Sequence, residues 1–200
     1  MGCQYILVIA LGLSILFATA APAQSSLMLA EHQAYQNELL QTYRKLKAAP
    51  EERALLSALK SLPFFPYDST FRVLANLDTT AAAGFLPMKT SHGRSALYRR
   101  YGYLRFSFGG HSFRMPVYQA KSAASSGSDE LFFPFTDNTN GETTYGGGRY
   151  IDLRIPNGTV LLLDFNRAYN PYCAYSHLYS CEIPPEENHF TVRIEAGLKY

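Results

Sequence analysis

Asp137, Glu142, Tyr145, Arg149, Asp152, Asp164, Asn166, Arg167, Tyr169 and Asn170 fall in one run that ends at Cys173 and Cys181, in a chain with only 17% charged residues. Groups of these types, crowded together, can do three kinds of work. Two carboxylates can shuttle protons in hydrolysis. Arginine beside carboxylate, amide and phenol can hold a polar ligand. The same groups can also form an ion pair sealed inside the fold. The ligand-binding candidates are Asp137, Tyr145, Arg149, Asp164, Asn166, Arg167 and Tyr169. No catalytic signature accompanies them, so the sequence names no catalytic residue and no cofactor, and it leaves open whether the protein is an enzyme.

Several familiar motifs fail on inspection. Gly146-Gly147-Gly148 precedes an alternating strand pattern, without the helix start and Gly-Lys-Ser/Thr ending of a phosphate loop. A bulge or close backbone approach suits these glycines better. Asp137–Glu142 suggests a calcium loop, but Gly148 stands where the bidentate glutamate belongs, so the segment reads as a turn. His92, His111, His177 and His189 are scattered, and two cysteines are too few for a zinc site, so no metal is expected.

The elements that must position these groups are legible from periodicity. Tyr35, Leu39, Tyr43 and Leu46 recur at helical spacing, and Pro50-Glu51-Glu52 starts a second helix with the apolar stripe Leu55, Leu56, Leu59 and Leu62. From Phe71 onward the pattern changes to alternation and tight turns. Gly109-Gly110, Asn140-Gly141 and Asn157-Gly158 predict three hairpins, the second between Leu131–Thr136 and Glu142–Tyr145, and a last strand is expected from Phe190 to Ala196. Ser122–Asp129 reads as a surface loop. The fold expected is mainly β: an antiparallel sandwich or partly closed barrel built from hairpins, with one or two N-terminal helices against it.

A two-residue loop at Asn157-Gly158 predicts a register that pairs Ile155 with Val160, Leu153 with Leu162, Ile151 with Asp164 and Arg149 with Asn166. Arg149 and Asp164 become diagonal neighbours on one face, and Arg149 is the expected partner of that carboxylate. Asp137 shares parity with Phe133 and Phe135 and is expected to project toward an apolar face as well.

Residues 1–23 have the layout of an export signal: an apolar run Ile6–Phe17, too short to span a membrane, then small residues ending in Ala21-Pro22-Ala23. The expected organisation is a signal at 1–23, a helical segment at 24–62 and a β-rich part at 63–200, the last two forming one globular unit. The expected location is the periplasm or the extracellular space. A net charge of +2 with dispersed basic residues excludes nucleic acid as the natural partner. In an oxidising compartment the C-x7-C pair Cys173 and Cys181 is expected to form a disulfide, worth about 2.5 kcal/mol by loop entropy. The rival reading makes Cys173 a nucleophile with His177 as base, but it lacks a third, orienting group.

Leu131–Asp137 with Gly141–Tyr150, Asp164–Cys173, Cys181–Pro185 and Ala196–Lys199 resemble domain-of-unknown-function family 1684, in a short, exported form. Tyr172 stands where many members carry a second proline, and Glu182 where a proline often follows the second cysteine. The resemblance implies a bacterial envelope setting and supplies no mechanism. The leading expectation is a β-rich domain that binds a small molecule or glycan in an Arg/Asp/Asn/Tyr pocket. The alternatives are a hydrolase with Asp137 or Asp164 as acid/base, and a structural envelope protein whose ion pairs are architectural.

Overall fold

A computed structural model describes residues 20–80, 84–93 and 95–200. The expected export signal falls on residues 1–19, outside the described residues, and on 20–23, where the first helix begins. Helix α1 spans Ala20–Arg44 and α2 spans Pro50–Ala58. Pro50 occupies the first turn of α2, and the Glu52 carboxylate reaches back to accept the Ala49 N–H at 3.1 Å, satisfying a donor the helix leaves free. The two helices bury Leu39, Tyr43, Leu46, Ala48 and Leu56 against Leu198 and a set of tyrosines from the loop after residue 168. Within the expected stripe Leu56 is the buried member, and Leu55 faces water.

Seven antiparallel strands curl into a half-barrel. They are β1 (Arg72–Thr79), β2 (Leu86–Met88), β3 (Ala96–Phe108), β4 (His111–Ala120), β5 (Glu130–Phe135), β6 (Arg149–Arg154) and β7 (Val160–Asp164). The order is β6-β5-β4-β3-β1-β7, with β2 on β3. One face carries the core, including Leu104, Val117, Phe133, Phe135, Ile151 and Leu163, covered by Phe165, Phe190, Ile194 and Ala196. The short helix α3 (Lys121–Ser125) stands at the start of the segment expected to be a loop.

Of the three expected hairpins, the first forms as read. Gly109 and Gly110 both have positive φ, the backbone of a type I′ turn, and Phe108 pairs with His111. The other two do not form. No described non-glycine residue has positive φ, and Gly158 has none either, so neither Asn140-Gly141 nor Asn157-Gly158 can make a type I′ turn. Strand β6 pairs with β5, across residues 136–148 with no strand at Glu142–Tyr145, and β7 pairs with β1. The Asn157-Gly158 turn therefore carries the chain from one sheet edge to the other and imposes no register between them. The Arg149–Asp164 pairing fails for that reason: Asp164 shares its face with the exposed Val160 and Leu162, opposite the buried Leu161 and Leu163. The segment from Phe190 to Ala196 buries Phe190, Ile194 and Ala196 and exposes Thr191, Arg193 and Glu195, but it forms no strand.

The start of that segment pairs with backbone, the Phe190 N–H donating to the Thr136 carbonyl at 2.8 Å and the Asn138 N–H to the Val192 carbonyl at 3.2 Å, and side chains satisfy the part that follows. Arg149 is fully buried and lies 3.1 Å from the buried Asp137 carboxylate. Its guanidinium also donates to the carbonyls of Ala196 and Ile194, the latter at 2.8 Å. Asp137 accepts the Ile194 N–H at 2.7 Å together with the hydroxyl and N–H of Thr139. Gly148, φ +90°, precedes Arg149 where a Cβ would lie 2.7 Å from the Phe135 carbonyl, so the expected close backbone approach is present.

Replacing Arg149 with Leu strands Asp137 and two carbonyls in the core, and urea unfolding should show a loss of about 3–5 kcal/mol. A second tie joins α2 to the tyrosine loop: His177 Nδ1 and N–H lie 2.8 and 3.1 Å from Glu52 Oε1. The His177 side-chain and backbone hydrogen bonds pull the Glu52 pKa from 4.5 down to about 2. Because the folded value is depressed, this tie contributes in full above pH 4.5 and fades as pH falls toward 2. An NMR titration should place the Glu52 midpoint near 2 and move it upward in His177→Ala, short of 4.5 because the backbone N–H of residue 177 and of Ala49 still donate; a value near 4.5 in the unsubstituted protein would refute the tie.

Candidate functional site

A cleft of about 880 Å³ opens between α1 and the outward face of the sheet where β5–β6 and β7–β1 approach one another. Alternation decides what it displays. Arg149, Ile151 and Leu153 of β6 point into the core, leaving Asp152 and Arg154 exposed on the outer face; Glu130 and Phe132 of β5 and Leu162 and Asp164 of β7 also line the cleft. Helix α1 supplies Glu31, His32, Tyr35 and Glu38 as the facing wall.

Asp152 is the most distinctive group in the cleft. Its carboxylate is exposed to water, yet the surrounding protein displaces enough water to push its pKa up, against the opposing hydrogen bond from Tyr169. The Tyr169 hydroxyl donates to both Asp152 oxygens at 3.1 and 3.0 Å. Burial, followed by the Asp152 charge, drives the Tyr169 pKa well above its ordinary value, so this phenol is a fixed donor at neutral pH. Tyr35 donates to the Arg167 carbonyl at 2.7 Å, and the Arg167 guanidinium lies 4.6 Å over the Tyr35 ring.

Toward the other end, Asp164 is committed to its own turn. It accepts the N–H and side-chain amide of Asn166 at 3.0 and 2.9 Å and faces Arg72 at 3.8 Å. Burial lowers the His32 pKa, and Gln36 Nε2 lies 2.8 Å from its Nε2, which leaves the proton of the neutral ring on Nδ1. That Nδ1 and the Tyr67 hydroxyl, from two residues that both line the cleft, are buried polar atoms without a hydrogen-bond partner among the described residues.

The candidate residues therefore divide. Asp164, Arg167 and Tyr169 line the cleft, whereas Asp137 and Arg149 are sealed in the core and Asn166 is buried, with its amide binding both backbone groups of Asp68. Tyr145 stacks edge-on to Tyr200 at 5.0 Å, beside Cys173. Asp152, Tyr35 and Tyr172 also line the cleft and are not among the ligand-binding candidates of the sequence. For Asp152 the signal was present, since it is the only acid in the alternating strand Arg149–Arg154 and has the parity opposite to Ile151 and Leu153. Tyr35 could be placed only by knowing where α1 lies. Cys173 and Cys181 are free thiols in contact, the Cys173 N–H donating to Cys181 Sγ at 3.0 Å. Glu52 holds His177 Nδ1 as an orienting carboxylate would, but the side chains that reach Cys173 are Cys181, Ser91 and Tyr145, and His177 is not among them. Among the described residues no group of three or more His, Cys, Asp or Glu could hold a metal ion, and no helix is long and apolar enough to cross a membrane.

Comparison with known proteins adds a family and a fold. The solution NMR structure of an uncharacterized protein from Haloarcula marismortui superposes with a TM-score of 0.66 at 29% identity, covering 89% of this chain and 97% of that one. No curated protein matches the chain. The family described as "Protein of unknown function (DUF1684)" matches residues 57–199, a span that holds the whole sheet and the tyrosine loop and begins after the α1 wall of the cleft. This chain belongs to the DUF1684 family.

Proposed function

We propose that this is an exported bacterial protein that binds a small molecule or glycan in the cleft under α1. The observation that carries the reading is Asp152, a water-exposed carboxylate with a raised pKa, oriented by Tyr169 among aromatic side chains. An exposed carboxylate kept in a partly desolvated place gains nothing for the empty fold, and it becomes favourable when a ligand hydroxyl or ammonium donates to it. The volume suits one small molecule or a short saccharide. Tyr35, Tyr98, Phe132 and Tyr172 line the cleft with aromatic carbon that suits the C–H groups of a sugar.

Charge narrows the class further. Glu31, Glu38, Glu130, Asp152 and Asp164 face Arg72, Arg154 and Arg167 along the cleft, and two of those arginines are already paired. A neutral polyol or a cation fits this excess of acid better than an anionic glycan. The hydrolase reading loses Asp137 to the core and Asp164 to its turn. The apolar run and Ala21-Pro22-Ala23 support export.

Cellobiose, chitobiose and maltotriose at millimolar concentration should be tested for a rise in melting temperature and for saturation-transfer NMR signals. At least one should bind, and Asp152→Asn should weaken it by about tenfold or more. Silence from all three would remove the glycan reading, and cleavage products on chromatography would replace binding by hydrolysis. The unliganded variant gives a separate check. Since the folded pKa of Asp152 lies above its unfolded value of 3.8, its ionisation lowers stability as pH rises. Unliganded Asp152→Asn should therefore melt at or above the unsubstituted protein at pH 7, with the difference vanishing below pH 3.8.

A further inference from the structure

The cysteine pair is built asymmetrically. Cys173 lies half-buried in the short 3-10 turn Tyr172–Ala174, whereas Cys181 is 7% exposed. The Cys181 thiol and the Tyr145 hydroxyl from the 136–148 segment reach the Cys173 sulfur, and the Ser91 hydroxyl just beyond β2, which also lies 3.0 Å from His92 Nδ1, stands beside it. Ser91 is itself held in place, accepting the Cys181 N–H at 3.1 Å, while its own N–H donates to the Cys181 carbonyl at 2.9 Å. The hydrogen bond from Cys181, opposed by burial and helped by Ser91 and Tyr145, brings the Cys173 pKa down to about 6. Donating that bond, together with burial, pushes Cys181 up.

We propose that Cys173 and Cys181 form a thiol–disulfide exchange site, with the accessible Cys173 as attacking thiol and the buried Cys181 as resolving thiol. The substrate class is a disulfide, either a low-molecular-weight one or an exposed one on a protein. The Cys173 thiolate forms a bond to one sulfur of that disulfide. The old S–S bond breaks, and its electron pair leaves on a thiolate that takes a proton from water. Cys181 then loses its proton to solvent and attacks the Cys173 sulfur, expelling the second thiolate. Two protein thiols are oxidised to an internal disulfide, and one external disulfide is reduced to two thiols.

Oxidised glutathione is the probe, applied to the reduced full chain, with peptide mapping to keep Cys3 separate. The unsubstituted protein should convert to the Cys173–Cys181 disulfide without retaining glutathione. Cys181→Ser should trap glutathione on Cys173, and Cys173→Ser should react at Cys181 at least tenfold more slowly. In the unsubstituted reduced protein, alkylation of Cys173 by iodoacetamide, followed by peptide mapping, should reach half its maximal rate near pH 6, and Tyr145→Phe, which keeps the ring, should move that midpoint upward. Equal rates at the two cysteines would overturn the proposal. So would an internal disulfide that forms in air and does not exchange with reduced glutathione, since that is a structural staple.

Discussion

The buried contact between Arg149 and Asp137 is the constraint around which the half-barrel is organised. A curled sheet with its edges apart leaves one face to be covered, and here an irregular C-terminal segment covers it with Phe190, Ile194 and Ala196. Beyond its backbone bonds to Thr136 and Asn138 this segment has no strand partner for its N–H and C=O groups, and each unmet group costs free energy. Arg149 and Asp137 supply those partners from the sheet side, one donating to the carbonyls of Ile194 and Ala196, the other accepting the Ile194 N–H. The ion pair thus substitutes for a missing strand.

That choice has consequences for the opposite face. With the concave side filled by the C-terminal segment, the helices have no place in the main core, and they pack instead on Leu198 and the tyrosine loop. Helix α1 consequently passes beside the outer face of the sheet without sealing it, and the space left between them is the cleft. One strand serves both purposes: β6 places Arg149 inward to hold the cover and Asp152 outward into the cleft. The loop after β7 is shared in the same way, since Tyr169 orients Asp152, Tyr172 lines the cleft, and Cys173 follows directly.

Local patterns were legible where a single rule decided them. The 3.6-residue period of Tyr35, Leu39 and Tyr43, the Pro50-Glu51-Glu52 start, and the Gly109-Gly110 turn all depend on neighbouring residues, and all three appear as read. Gly148 was legible as a close approach because only glycine tolerates a carbonyl at that distance. The inward direction of Arg149 followed from its parity with Ile151 and Leu153. The partner did not follow, because Asn157-Gly158 is compatible with both a hairpin and a crossing between sheet edges. The turn sequence carries no information on which strand the chain meets next.

Sequence alone carried the composition of the crowded run, the β-rich class with its N-terminal helices, the family resemblance, and the inward side of β6, but not the side of Asp164, because the run 160–163 is apolar on both parities. Only the tertiary structure decided which charges meet. Parity is a property of consecutive residues, whereas pairing depends on the order β6-β5-β4-β3-β1-β7 and on a coil segment that sequence pattern marked as a strand. The polar residues therefore separate into a sealed pair, Arg149 with Asp137, and an open group around Asp152 and Tyr169. The physical reason is that the two faces of one strand, reached by Arg149 and by Asp152 three residues later, lead to core and to water.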